Sequence, residues 1–175
     1  MELEKEPRKP TPPRTTPQEP SPPSKIYRAQ PTETFLPIQR RYAQEVCVVM
    51  GIALVVMGLV GFVVDNFLGA HLSYTHNAIH VASGALSLWF GFDSALSAKR
   101  FSYIFGTIYG VLGILGFLFG SLGIPSIGSL VEDRYLWKPI PNVLELGTID
   151  HSLHILFGVV FLLGATLTFK RYKKI

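Results

Sequence analysis

Hydrophobic and polar positions divide the chain into a polar N-terminal stretch followed by four long apolar runs, at about 44–67, 76–97, 101–123 and 149–169. Each is close to the roughly 20 residues that an α-helix needs to cross about 30 Å of hydrocarbon. The runs are continuously apolar and lack the period of two of a membrane β-barrel strand, so the pattern predicts helices. The expected fold class is all-α, a four-transmembrane-helix bundle. One connection is sizeable, residues 124–148, mixing Leu130, Leu136, Trp137 and Val143 with Glu132, Asp133 and Arg134. Broken by Pro125, Pro139 and Pro141, it is expected to lie along the membrane surface with at most a short helix, or to dock a partner.

The apolar runs repeat one another. Displaced by 55 residues, the first overlies the third, so that Gly51, Gly58, Gly61 and Phe62 fall on Gly106, Gly113, Gly116 and Phe117. Displaced by 74, the second overlies the fourth, with His80 and Gly84 on His154 and Gly158. The bundle therefore reads as two similar helical hairpins in the same orientation, related by a pseudo-twofold axis along the membrane normal. Helices in lipid attract mainly through close approach over small residues. Gly106, Gly110 and Gly113 in the third run, Gly84 in the second and Gly158 in the fourth accordingly mark the packing faces.

Composition alters the picture at the N-terminus. Nine of the 13 prolines fall within residues 1–36, among Glu, Lys, Arg, Ser and Thr. Such a segment buries too little apolar surface to offset its ordering entropy, which predicts a disordered tail before a membrane domain at 37–175. The net charge of +4 would suit nucleic acid, but the positions of the charges do not. Fourteen of the 16 Lys and Arg residues lie in the tail or just after it at Arg40 and Arg41, at Lys99 and Arg100, or at the C-terminus; only Arg134 and Lys138 lie in the opposite loops. This positive-inside bias predicts that both termini and the 98–100 turn are cytoplasmic. Nucleic acid drops out as a partner, leaving the lipid bilayer and a membrane-protein partner. Tyr42, Trp137 and Tyr172 stand where interfacial anchors are expected, and the single cysteine, Cys47, excludes an intramolecular disulfide.

Candidate chemistry gathers at the other face. His71, His76, His80, His151 and His154 all fall near it, with Asp65 and Asp150. His76 and His80 are four apart on one helical face, as are Asp150 and His154, and the repeat makes the two pairs equivalent. His76, His80, Asp150 and His154 together would suit Zn²⁺ or a similar transition metal. His80 and His154 alone would suit a haem iron, with Gly84 and Gly158 clearing room for the ring. The same residues also serve a purely structural role: Asp150 suits the first turn of a helix, and buried imidazoles hydrogen-bond across helix interfaces.

No Walker loop, dinucleotide fingerprint, nucleophile elbow or His-Glu-x-x-His motif occurs, and the spans carry no buried Lys, Arg or Glu. A non-enzymatic structural or accessory subunit of a membrane complex is the favoured reading. A metal- or haem-binding redox protein is one alternative, and a small transporter or proton-handling protein the other.

The run from His76 to Gly84, the Lys99-Arg100-Phe101 turn leading to Gly106, and Asp150-His151-Ser152-Leu153-His154 followed by Gly158 resemble a bacterial family of small four-helix membrane proteins catalogued as a domain of unknown function. The likeness covers roughly 44–169 and centres on Asn77, His80 and Gly84; in the fourth run His151 stands where the second has Asn77. The resemblance implies a bacterial inner membrane or a photosynthetic membrane and carries no established activity.

Overall fold

The computed structural model describes residues 35–174 except 65, 68, 128 and 129. The tail expected over 1–36 lies outside them but for Phe35 and Leu36, which open a strand, and so does the candidate Asp65. In chain order the elements are β1 (Phe35–Arg40), α1 (Tyr42–Gly61), β2 (Asn66–Phe67), β3 (Ala70–His71), α2 (Tyr74–Asp93), α3 (Ala95–Phe119), β4 (Ser121–Gly123), β5 (Asp133–Ile140), β6 (Leu144–Leu146), α4 (Thr148–Leu167) and β7 (Phe169–Lys174). Three helices, α1, α3 and α4, are long and apolar enough to cross a membrane, with mean hydropathies of 2.2, 1.8 and 1.5. α2 matches α1 in length, but its buried face carries His76, Asn77, His80, Ser83 and Ser87.

The two helical hairpins, α1 with α2 and α3 with α4, close through the same backbone contacts. A Cβ on Gly58 would lie 2.6 Å from the Asn77 carbonyl oxygen and 2.8 Å from Val81 Cγ2; one on Gly113 would lie 2.5 Å from the His151 carbonyl oxygen and 2.7 Å from Ile155 Cγ1. Gly61 leaves room for the Asn77 side chain as Gly116 does for the His151 ring. Gly84 approaches the Gly51 carbonyl and Gly158 the Gly106 carbonyl, with Cβ clearances of 2.7 and 2.8 Å. These pairs are related by the displacements of 55 and 74, so one packing scheme occurs twice. A side chain at Gly58, Gly84, Gly113 or Gly158 would meet backbone, which has no rotamer with which to yield.

Equivalent residues of the two halves also meet at the centre. Ala43 and Ala98 share a buried cluster, and Cys47 Sγ lies 3.3 Å from Ser102 Oγ. Leu54 and Tyr109 pack together with Phe157, and Met50 and Phe105 bridge this cluster to the first. Contact between residues 55 apart is what a pseudo-twofold axis running between α1 and α3 requires.

At one end of the bundle β1 pairs antiparallel with β7, Phe35 opposite Lys174 and Arg40 opposite Phe169. Thr168 ties this end together: its Oγ1 accepts the Ala43 N–H at 2.7 Å, and its carbonyl accepts from Lys99 Nζ at 2.8 Å. The expected turn at 98–100 lies earlier. Ser94 ends α2 in an extended conformation, and its Oγ caps α3 by accepting the Ser97 N–H at 3.1 Å, so Lys99 and Arg100 stand inside α3.

The far end corrects the all-α expectation. β4, β5 and β6 form a three-stranded antiparallel sheet in that order, so the fold is mixed, four helices with a sheet across one end among the described residues, not a pure four-helix bundle. Asn142, at φ 63°, turns β5 into β6, a left-handed position that asparagine tolerates. Pro139 fits inside β5 because the register shifts between Trp137 and Ile140, where a proline has no ladder bond to lose. Buried Glu145 pins the connections by accepting the N–H groups of Ser126 and Asn142 at 2.6 and 2.9 Å and by pairing with Lys138 at 3.3 Å.

Candidate metal centre at the histidine end

The site begins with two helix starts that are equivalent in the repeat and capped differently. α2 follows Ser73, whose Oγ accepts the N–H of His76 at 3.3 Å. With that N–H satisfied from Ser73, the His76 side chain is free to turn into the bundle. α4 follows Gly147, which has no side chain to cap with. Asp150 reaches back instead and accepts the Gly147 N–H at 2.7 Å and the His71 N–H at 3.2 Å. A serine at 147 would not fit, because its Cβ would strike the His71 ring and lie 2.6 Å from Asp133 Oδ2.

The fourfold ligand set expected from sequence therefore comes together only in part. His76, His80 and His154 converge, each with one ring nitrogen within 4.8 Å of those of the other two, and all three are buried. Asp150 is spent on the two backbone N–H groups and is not among them. The His76 and His80 rings stand 4.2 Å apart and those of His76 and His154 6.0 Å apart, centre to centre. His76 Nδ1 lies 2.9 Å from the His71 carbonyl, which only accepts, so Nδ1 carries the proton and Nε2 presents its lone pair to the cluster. Nε2 of His76 and Nδ1 of His80 and of His154 are buried with no hydrogen-bond partner. Nδ1 of His71 and of His151 is similarly unpartnered, but these rings are engaged elsewhere, on Asp133 at 3.6 Å and on the Tyr135 carbonyl at 2.8 Å.

Beside the three histidines lies a chamber of about 130 Å³, bounded by Ile79, Tyr109 and Leu112 from the helices and by Trp137, Pro139, Leu144 and Leu146 from the sheet. Comparison with protein-family models, curated proteins and solved structures finds no match. The assignment of chemistry therefore rests on the geometry. Three imidazoles with a free position suit an ion such as Zn²⁺, whose open sites keep three protein ligands at about 2.0–2.1 Å. A carbonyl holding the far nitrogen of one ligand is the usual way such a ring is oriented. A haem does not fit these residues. Gly84 and Gly158 are filled by opposing backbone, and the chamber is well below the roughly 300–1,000 Å³ of pockets for larger organic ligands.

Sequence reasoning missed the surroundings that set this geometry. Asp133 holds the sheet to the start of α4, accepting from Thr148 N–H at 2.9 Å, Thr148 Oγ1 at 2.7 Å and Tyr135 N–H at 2.8 Å. Burial alone would raise its carboxyl; these hydrogen bonds and neighbouring His71 outweigh that and leave it below the usual carboxylate range. The apolar, aromatic-rich run Tyr135-Leu136-Trp137 is the available signal for the strand that carries it.

Proposed function

We propose that this chain is a four-span membrane protein carrying a divalent transition-metal site, with His76, His80 and His154 as its ligands. The observation that carries the reading is the convergence of three buried imidazoles, each with a buried ring nitrogen that has no hydrogen-bond partner. A metal-free packing role leaves these groups unsatisfied at about 1–3 kcal/mol each. A metal satisfies all three at once. Imidazole ligation suits Zn²⁺, Cu²⁺ or Ni²⁺, and apolar side chains form the remaining walls. The accessory-subunit reading concerns what the bundle assembles with and is compatible with the same site.

The membrane reading rests on the outward faces. Val49, Ile52, Val56 and Leu59 on α1, Trp89 and Phe92 on α2, and Ile104, Ile108 and Ile114 on α3 are large, apolar and exposed, far more than a water-soluble surface carries in one belt. α2 spans with the others because it pairs with α1 along its length and turns its polar side inward. Arg40, Arg41, Lys99 and Arg100 gather with the β1–β7 end, which supports both termini in the cytoplasm and the metal site facing outward.

The test is zinc binding to the full chain in detergent after chelator treatment. One equivalent should bind and, at a hundredfold excess over Kd, stabilise the fold by about 2.7 kcal/mol. His76→Ala, His80→Ala and His154→Ala should each weaken binding by more than the 10- to 100-fold typical of outer-shell partners, while His151→Asn retains one equivalent. Absence of zinc-dependent stabilisation, or indifference to all three alanines, would remove the metal.

A further inference from the structure

We infer that the metal's fourth position is filled by a small monoanion drawn from the chamber beside it, an inference that rests on the three-histidine reading above. Among the described residues the cluster offers three ligands and no fourth His, Cys, Asp or Glu. A tetrahedral ion held by three side chains keeps one position for an exogenous ligand. That position opens onto the chamber of about 130 Å³, whose other walls include Tyr109, Trp137 and Leu146.

Charge selects the ligand. A divalent ion on three neutral imidazoles keeps its full double charge, and no carboxylate or cationic side chain lines the chamber. The two nearby acids of the site are committed, Asp150 to the Gly147 and His71 N–H groups and Asp133 to Thr148 and Tyr135. In dry surroundings an uncompensated double charge is costly, and an entering anion offsets half of it. Volume selects in addition: hydroxide or a linear triatomic anion fits within about 130 Å³, whereas an aromatic carboxylate is larger than the benzene that a cavity of about 150 Å³ holds.

Co²⁺ replaces the unknown metal in the test, since its visible bands report coordination. The Co²⁺-loaded full chain is titrated with azide and with benzoate, and the titrations are repeated on Trp137→Ala, with Leu144→Ala opening the same wall should the first variant not fold. Azide should shift the bands saturably, benzoate should act at least about tenfold more weakly, and the enlarged chamber should narrow that gap. Bands that appear but ignore azide would overturn the anion site while leaving the metal standing. Equal response to both anions in the unaltered protein would overturn selection by the chamber. If no bands form, the metal reading fails and this inference with it.

Discussion

In the α1–α2 hairpin, the helix at the histidine end is capped by a serine and its third residue is a histidine; in the α3–α4 hairpin, the cap is a glycine and the third residue an aspartate. Where their helices touch the same hairpins are nearly copies, with Gly58 against the Asn77 carbonyl in one and Gly113 against the His151 carbonyl in the other. Copying is strict where backbones touch, because a glycine there admits no substitute. At the shared space the copying is partial: His80 and His154 are equivalent, whereas His76 of one hairpin is answered by Asp150 in the other. Placing two such ends together gives a centre that neither hairpin could form alone: His76 and His80 come from one, His154 from the other, and Asp150 is diverted to hold its own helix start.

The largest effects should follow from breaking what the hairpins share. Gly58→Ala and Gly113→Ala each push a methyl into a carbonyl at 2.6 and 2.5 Å and should destabilise by about 1–3 kcal/mol or more, by similar amounts. Gly110→Ala should change stability by no more than about 0.5 kcal/mol, since its added Cβ meets only Gly158 Cα at 4.0 Å and the equivalent position in the other hairpin already carries Val55. Thermal unfolding in detergent measures all three. A large difference between Gly58 and Gly113 would mean that the hairpins are held by different interactions.

Smaller effects should come from where the hairpins differ. Asp150→Ala leaves two buried N–H groups without an acceptor and should cost about 1–3 kcal/mol, whereas Ser73→Ala removes one cap bond at about 1 kcal/mol. The same unfolding measurement would sharpen the comparison if it gives this order. The reverse order would mean that Asp150 is not what secures the start of α4.

The four helices were readable from the chain because apolar length and the spacing of small residues leave few alternatives for a segment of that composition. Their ends were not. Ser94 ends α2 with an extended backbone and starts α3 through its hydroxyl, a local bond that hydropathy does not register, so the turn lies several residues before the expected 98–100. The sheet was hidden by Pro139 and Pro141, which read as breakers until a register shift accommodates the first. At the site, Asp150 and His154 carry the same spacing as His76 and His80, and spacing alone made all four ligands. The glycine at 147 held the contrary information, since a helix start without a capping side chain claims the nearest carboxylate.

X-ray absorption at the zinc edge of the zinc-loaded full chain tests the central claim most directly, that the two unlike hairpin ends combine into one three-histidine centre. The account predicts three imidazole nitrogens at about 2.0–2.1 Å, with the outer-ring scattering characteristic of imidazole, and one further oxygen or nitrogen ligand completing the shell. A shell of oxygens without imidazole scattering, or a sulfur at about 2.3 Å from Cys47, would contradict it.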